Sequence, residues 1–398
     1  MNRLVVLLVI LLACVSTIPL ANGADNTTVS VSGNVTVTNG TANGDTITVT
    51  PLDENYRRVG DSVNTTVSDG SFNADNVTKA PLYYVRLSHG DLAHYVLTQN
   101  TDGLSFDLGP TISGRVVTEN ESAVPNAQLL VASPTGPPVG QVNASKNGTF
   151  EFGPVESNTT YTLWMRIAGV PYKKTITTGA NATNVHFVKR EPTGKETNLT
   201  VSGGDPASHV IQVSPRQNGS GLSVVETLSI NNTGNQPFVG PVHIALPENA
   251  TPTGAMFRNR QTTFTRHDNG IDVNATIAAN DTAQIGVAYN LKGREIRKSL
   301  SHDTDRVAAV LQGYNLSQIS HSSNLRPGSA PISMLTNQAP IQSGNEIHIN
   351  VPKNARQMAN NQSVDDDGGS NGSDFPVTIL GLSFLSIVIG GILLYRVL

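Results

Sequence analysis

Thr28-Val-Ser-Val-Ser-Gly-Asn-Val-Thr-Val-Thr38 returns valine at every second position, with Gly33 in the one place the series skips. Successive side chains of an extended strand point to opposite faces, so this spacing gives one apolar face and one wetted face. A helical period would scatter the same valines around a cylinder. The β-branched Val and Thr side chains favour the extended backbone as well. The run therefore predicts a half-buried strand, and its neighbours extend the pattern. Asn39-Gly40 and Asn43-Gly44 are turn dipeptides, because both residue types tolerate positive φ. Thr46-Ile-Thr-Val-Thr50 is a second strand ended by Pro51, and Val63-Asn-Thr-Thr-Val67 is a third. Asp69-Gly-Ser-Phe72 is a turn opening a fourth. Leu82 to Leu87 and His94 to Thr98 pair across Gly90, and Leu104 to Leu108 closes the unit.

The pattern then starts again about 80 residues later. Thr111-Ile-Ser-Gly-Arg-Val-Val117 echoes the first strand, and Ala127 to Ala132 echoes Thr46 to Thr50. Asn147-Gly-Thr-Phe150 echoes Asp69-Gly-Ser-Phe72, Tyr161 to Arg166 echoes Leu82 to Leu87, and Val185 to Val188 echoes Leu104 to Leu108. In the second copy, Ile112-Ser-Gly-Arg-Val116, Val124-Pro-Asn-Ala127 and Asn147-Gly-Thr-Phe150 together resemble the carboxypeptidase regulatory-like domain. That family implies a transthyretin-like, seven-stranded, non-catalytic sandwich for 109–190. The first copy, 24–108, lacks the Val-Pro-Asn-Ala step and resembles the family less. In this reading Gly114 bends its strand, Pro125 presets a turn, and Phe150 returns to the core.

A charged linker broken by Pro192 follows. Alternating strands at His209–Val213, Ser223–Ile230, Val242–Leu246, Gly270–Ile277 and Ala283–Leu291 predict a third sandwich over 196–291. Its order of strand, Asn-rich turn and apolar strand ending in Leu-Pro resembles Ig-like domains of prokaryotic surface proteins. From 292 to 352 lies a smaller β-rich extension, with candidate strands at Val307–Leu311, Leu316–Ile319, Pro331–Leu335 and Glu346–Val351. Val307–Leu311 reads equally as a helical turn. The expected fold is thus all-β: tandem β-sandwiches, two transthyretin-like and one Ig-like with a β-rich extension, plus one C-terminal transmembrane helix.

That helix is read from 376–395, which carries no charged side chain and meets the roughly 20 residues a spanning helix needs. Tyr395 and Arg396 close it at head-group level, and an acidic, Gly/Ser-rich polar stalk, 353–375, precedes it. At the other end Arg3 and the apolar run Leu4–Leu12 predict a signal peptide, 1–23, cleaved before Ala24. Leu11-Leu-Ala-Cys14 resembles a lipobox, an anchor that the C-terminal span makes redundant. The expected topology is a single-pass cell-membrane protein, its bulk extracellular and its C-terminus cytoplasmic, with the lipid bilayer as one partner.

Cys14 is the only cysteine, so the mature chain would have no disulfide. Asn-x-Ser/Thr sequons are dense: Asn26, Asn34, Asn39, Asn64, Asn76, Asn120, Asn143, Asn147, Asn158, Asn181, Asn198, Asn218, Asn231, Asn249, Asn274, Asn280, Asn315, Asn361 and Asn371. A signal, no disulfides, many sequons and one span together look like an archaeal surface glycoprotein. Net charge is −4 with 14% charged residues, so no basic face is expected to collect nucleic acid.

Motifs for catalysis are absent from the sequence. No His-Glu-x-x-His, nucleophile elbow, phosphate loop or dinucleotide fingerprint occurs. The His-x-x-Glu pair of the peptidases that carry regulatory domains is also missing. His302-Asp-Thr-Asp305 is the nearest approach to a metal cluster and reads better as a polar loop; Asp365–Asp374 lacks the EF-hand spacing and reads as a solvated linker. Carboxylate pairs at Asp53/Glu54 and Asp303/Asp305 are of a kind common on any surface. Trp164, with Tyr83 and Tyr84 on the equivalent strand, reads as strand packing ahead of a sugar-stacking platform. No catalytic, cofactor or metal site is assigned. The expected function is a non-catalytic, glycosylated, membrane-anchored surface protein that presents β-sandwiches for adhesion or for an envelope glycan or protein. An accessory subunit of a membrane transport or secretion complex is the alternative, and an envelope-polymer hydrolase the third.

Overall fold

The computed structural model describes residues 27–355, apart from 134–136, 180–182, 205–206, 217–220, 312 and 329–332. The expected signal peptide, the stalk beyond Ala355, the transmembrane helix, and Asn26, Asn181, Asn218, Asn361 and Asn371 lie outside the described residues. No helix among the described residues is long and apolar enough to cross a membrane.

The first seven strands are β1 (Thr28–Val37), β2 (Thr46–Leu52), β3 (Val63–Thr66), β4 (Ser71–Thr78), β5 (Leu82–His89), β6 (Leu92–Thr98) and β7 (Leu104–Leu108). They form two sheets, ordered β4-β1-β7 and β3-β2-β5-β6. The alternation that opened the reading is realised here: Val31 and Val35 are buried while Ser30, Asn34 and Thr36 face water. The turn at Asp69-Gly70 has positive φ at both residues, 49° and 72°, the geometry that matches strand twist in a tight hairpin.

The next seven strands are β8 (Ile112–Thr118), β9 (Gln128–Ala132), β10 (Pro138–Asn143), β11 (Thr149–Phe152), β12 (Thr160–Ile167), β13 (Val170–Thr177) and β14 (Thr183–Lys189). Their sheets run β11-β8-β14 and β10-β9-β12-β13. This is the strand order of the first set, position for position. Phe150 is buried and Asn126, after Pro125, takes φ of 57° in the turn. Gly114 is a point of close strand approach. A Cβ there would lie 2.1 Å from the Val185 carbonyl oxygen, so the glycine lets β14 approach. Gly33 repeats the arrangement, with a Cβ 2.4 Å from the Leu104 carbonyl oxygen.

The remaining strands are β15 (Leu199–Val201), β16 (His209–Pro215), β17 (Leu222–Asn232), β18 (Phe238–Ala245), β19 (Ala250–Phe257), β20 (Arg260–Thr262), β21 (Phe264–His267), β22 (Gly270–Ile277), β23 (Asp281–Leu291), β24 (Glu295–Ser299), β25 (Val307–Val310), β26 (Ser320–His321), β27 (Leu325–Pro327), β28 (Met334–Asn337) and β29 (Glu346–Asn350). A long sheet runs β20-β19-β23-β17-β16-β25-β28-β27, with β15 also on β17. Facing it are the small sheets β18-β22-β21 and β24-β29-β26. One apolar core reaches from Leu199 to Ala355. The stretch 292–352 is therefore built into the third body and shares its core. Val307–Val310 is a strand, parallel to β16. Leu316–Ile319, expected as a strand, instead holds a 3-10 turn at Leu316–Gln318, because the Asn315 side chain accepts the Ser317 N–H at 3.1 Å and caps it.

Candidate recognition groove

The second sandwich ends at β13 in one sheet and at β14 in the other. Between these two edges lies a groove of about 370 Å³, lined on its far side by Asn235, Pro237, Ala279 and Asn280 of the third body. That volume falls within the range of small-ligand sites. Tyr172, buried at its base, donates its hydroxyl to the Arg190 carbonyl at 3.0 Å. Burial, and then Glu191, push this phenol's pKa up, which keeps it a neutral donor. Lys174 reaches from β13 to β14 and donates to the His186 carbonyl at 2.7 Å. Arg190 crosses to the third body and donates from Nη1 to the Asn235 carbonyl at 2.9 Å.

Beside the groove, Lys173 Nζ meets Asp281 Oδ1 at 2.8 Å, and Arg258 Nη2 meets Asp281 Oδ2 at 3.0 Å. Asp281 is 9% exposed in its side chain, so this is a shielded clamp between the second sandwich and the third body. The Lys173 ammonium also stands 5.2 Å from the centre of the Trp164 ring. Trp164 itself is half-buried, between Leu130 and Lys173 across the sheet. Its register partner in the first sandwich is Arg86, as the pairings of Leu129 with Met165 and Ile47 with Leu87 show. Tyr83 is in the core, while Tyr84 stacks on Tyr95 at 5.4 Å.

The sequons occupy the surface. Asn34, Asn39, Asn64, Asn76, Asn120, Asn143, Asn147, Asn158, Asn249, Asn274, Asn280 and Asn315 are exposed, and Asn198 and Asn231 are half-buried. Asn39, Asn158 and Asn280 sit at positive φ in turns, and Asn76 takes positive φ within β4, beside the register shift with β1. The carboxylates weighed in the sequence have local duties. Asp53 accepts the Asn55 and Arg57 N–H groups, each at 2.8 Å, and Asp303 accepts the Ser343 N–H at 2.8 Å. Among the described residues no group of three or more His, Cys, Asp or Glu is placed to hold a metal ion.

One cluster escaped the sequence reading. In the core of the third body, Glu226 Oε2 is 2.7 Å from His209 Nε2 and 2.7 Å from Lys298 Nζ, and Oε1 accepts from the Tyr289 hydroxyl at 2.6 Å. Burial alone would raise the Glu226 carboxyl, but Lys298 and His209 hold it far below the usual carboxylate range. Burial keeps His209 below the ordinary imidazole pKa, and the Tyr289 phenol stands well above its own. The signal was parity. Glu226 falls in the buried series Leu222, Val224, Leu228, Ile230, and Lys298 falls between Ile296 and Leu300. A charged residue on the apolar parity of a strand must find a partner inside.

No protein-family model matches this chain, and no curated protein matches it. Among solved structures it is similar to an M1 zinc metallopeptidase from Deinococcus radiodurans, at 12% identity and a TM-score of 0.27, over 39% of this chain and 42% of that one. It is also similar to a Streptococcal ancillary pilin, at 12% identity and a TM-score of 0.19, over 77% of this chain and 95% of that one. A third is the shaft pilin spaA from Lactobacillus rhamnosus GG, at 11% identity and a TM-score of 0.17, over 41% of this chain and 98% of that one. The likeness is one of β-rich architecture and carries nothing about activity or partner.

Proposed function

We propose that this chain is a non-catalytic, glycosylated, membrane-anchored surface protein whose β-sandwiches bind an envelope partner or an adhesion target. The observation that carries the reading is the groove between the β13 and β14 edges. Tyr172, Lys174 and Arg190 are fixed by bonds to backbone carbonyls, and Lys174 and Arg190 are held in place without a carboxylate closer than 3.6 Å. Groups held in this way suit recognition, since little side-chain freedom is lost when a partner arrives. The exposed sequons and the apolar, uncharged 376–395 segment support the surface placement. The test is retention of the full chain, in neutral detergent, on envelope material from its own cells. Specific, saturable retention that Lys174→Gln weakens is expected; uniform retention of both forms would count against the groove.

A further inference from the structure

Resting on that reading, we infer that the groove between the second sandwich and the third body binds an acidic saccharide, one bearing carboxylate or sulfate groups. Three kinds of observation meet there. The first is charge. Lys173, Lys174, His186 and Arg190 line the groove, and no aspartate or glutamate does. Nearby carboxylates meet part of this charge. Asp281 takes Lys173 at 2.8 Å, Glu121 takes His186 at 3.0 Å, and Glu119 stands 3.6 Å from Arg190. Lys174 has no carboxylate partner among the described residues; its single bond goes to the His186 carbonyl. An ammonium has three protons to donate, so Lys174 keeps donors for an incoming anion.

The second observation is the wall. The half-buried Val188 and Ala279 give small apolar patches between the polar groups, over the buried Tyr172, Phe187 and Pro237, and such patches suit the C–H faces of a pyranose ring. The third is the neutral polar rim: the amides of Asn235 and Asn280 and the Thr175 hydroxyl can both donate and accept, which suits sugar hydroxyls. An acidic peptide would satisfy the cations but would use the amide and hydroxyl rim less completely. Asn280 is also a sequon, so a glycan attached to it would fill the same space.

The experiment measures binding of the full chain in neutral detergent to polygalacturonate, dextran sulfate, dextran and poly-L-glutamate. Binding to polygalacturonate or dextran sulfate is expected, with the two polymers separating carboxylate from sulfate recognition. It should weaken between about 0.1 and 1 M salt, as screening shortens the reach of the cations. Lys174→Gln and Lys174→Gln/Arg190→Gln should lower affinity by about tenfold or more, the scale of a lost charge-assisted bond. Lys79→Gln/Lys146→Gln, at exposed sites away from the groove, should leave it unchanged. Because Arg190 also holds the Asn235 carbonyl, the single Lys174 variant decides the matter if the double variant melts early. Equal binding to dextran, tighter binding to poly-L-glutamate, or a glycan found on Asn280 in protein from native cells would each overturn the inference. Retention on envelope material without binding to either acidic polysaccharide overturns the ligand class and leaves the adhesion reading. Loss of both removes the adhesion reading as well.

Discussion

The paired sandwiches and the body that follows them solve the same packing problem with different chemistry. Apart from tyrosines, the described parts of the two sandwiches bury only His94 and Thr178 among polar side chains. The third body buries His209, Glu226, Lys298, His302, Asp281 and several amides and hydroxyls. In the sandwiches, sheet faces meet through Val, Leu, Phe and Tyr, and specificity comes from shape: a glycine where a neighbouring strand comes close, a tyrosine at a corner. In the third body Glu226 and Tyr289 of the long sheet are tied to Lys298 of a facing one through an ionic cluster. Apolar contacts degrade gradually when trimmed. A buried carboxylate held by one ammonium fails sharply when that ammonium is removed.

The largest expected effect follows directly. Lys298→Met should cost about 3–5 kcal/mol, because Glu226 then loses its ammonium partner in a dry core. Amide exchange in β17 and β23 should speed accordingly, while β8 and β12 of the second sandwich keep their protection. Lys298→Met/Glu226→Gln should recover part of the loss. A cost under about 1 kcal/mol for the single change would mean the cluster is weakly held, and the contrast with the sandwiches would lose its energetic meaning.

Acid tests the same contrast from the other side. Burial first, and then His89, lower the His94 pKa from 6.5 to about 4. Between those values the unfolded chain binds a proton that the folded first sandwich refuses, so stability falls as pH drops from 6.5 towards 4. The difference amounts to about 3 kcal/mol. Urea unfolding of the full chain at pH 7 and pH 4.5 should show most of this loss, and His94→Leu should flatten the share belonging to the first sandwich. His209 acts in the same direction within the third body. Glu226 adds to the loss only below its unfolded value of about 4.5, since its folded pKa lies lower still.

These differences also explain which features could be read from the sequence. Val31, Val35, Ile47 and Val49 alternate with exposed threonines and asparagines, so both sandwiches were legible as strands and as a repeat. The third body was legible only in its regular strands. β19 carries Pro252 and Gly254 at a shift in its pairing with β23, which hides its period. β20 and β21 are short and exposed, and β25 joins the long sheet through a parallel pairing with β16, nearly 100 residues distant. The groove had no local signature, because Tyr172, Arg190, Asn235 and Asn280 come from strands, a linker and two turns that only the packing brings together. Glu226 and Lys298 were legible in principle, by parity, but their pairing with each other was not.

Glycine substitutions sharpen the comparison at intermediate scale. Gly114→Ala would place a methyl 2.1 Å from the Val185 carbonyl oxygen, and Gly33→Ala one 2.4 Å from that of Leu104. The obstacle is backbone in both cases, so each should cost about 1–3 kcal/mol as β14 or β7 is forced away. Gly254→Ala in the third body meets nothing within 4 Å and should change stability by less than about 0.5 kcal/mol. Equal costs at Gly114 and Gly254, read by thermal melting, would show that close strand approach is not what selects glycine in the sandwiches.

The smallest effect separates the two copies from each other. Tyr83 and Tyr161 hold the same register position, and both are buried. The Tyr83 oxygen accepts the Ala80 N–H at 2.9 Å, three residues back, whereas Tyr161 accepts the Glu156 N–H at 3.0 Å, five residues back. The tyrosine is thus the fixed point, and the chain entering its strand is the variable part. Removing either hydroxyl should cost about 1 kcal/mol, the net worth of one hydrogen bond. The exchange consequences should differ. The Glu156 carbonyl is held independently by the Thr178 hydroxyl at 2.7 Å, so its segment keeps a second tether in Tyr161→Phe. Faster exchange should then be confined to the Glu156 amide, by roughly fivefold. In Tyr83→Phe the Ala80 amide loses its acceptor, and the short link between β4 and β5 should open with it, spreading the increase to neighbouring amides. Matching exchange patterns in the two variants would mean that Thr178 adds nothing, and that the corners are equivalent despite the different loops they fasten.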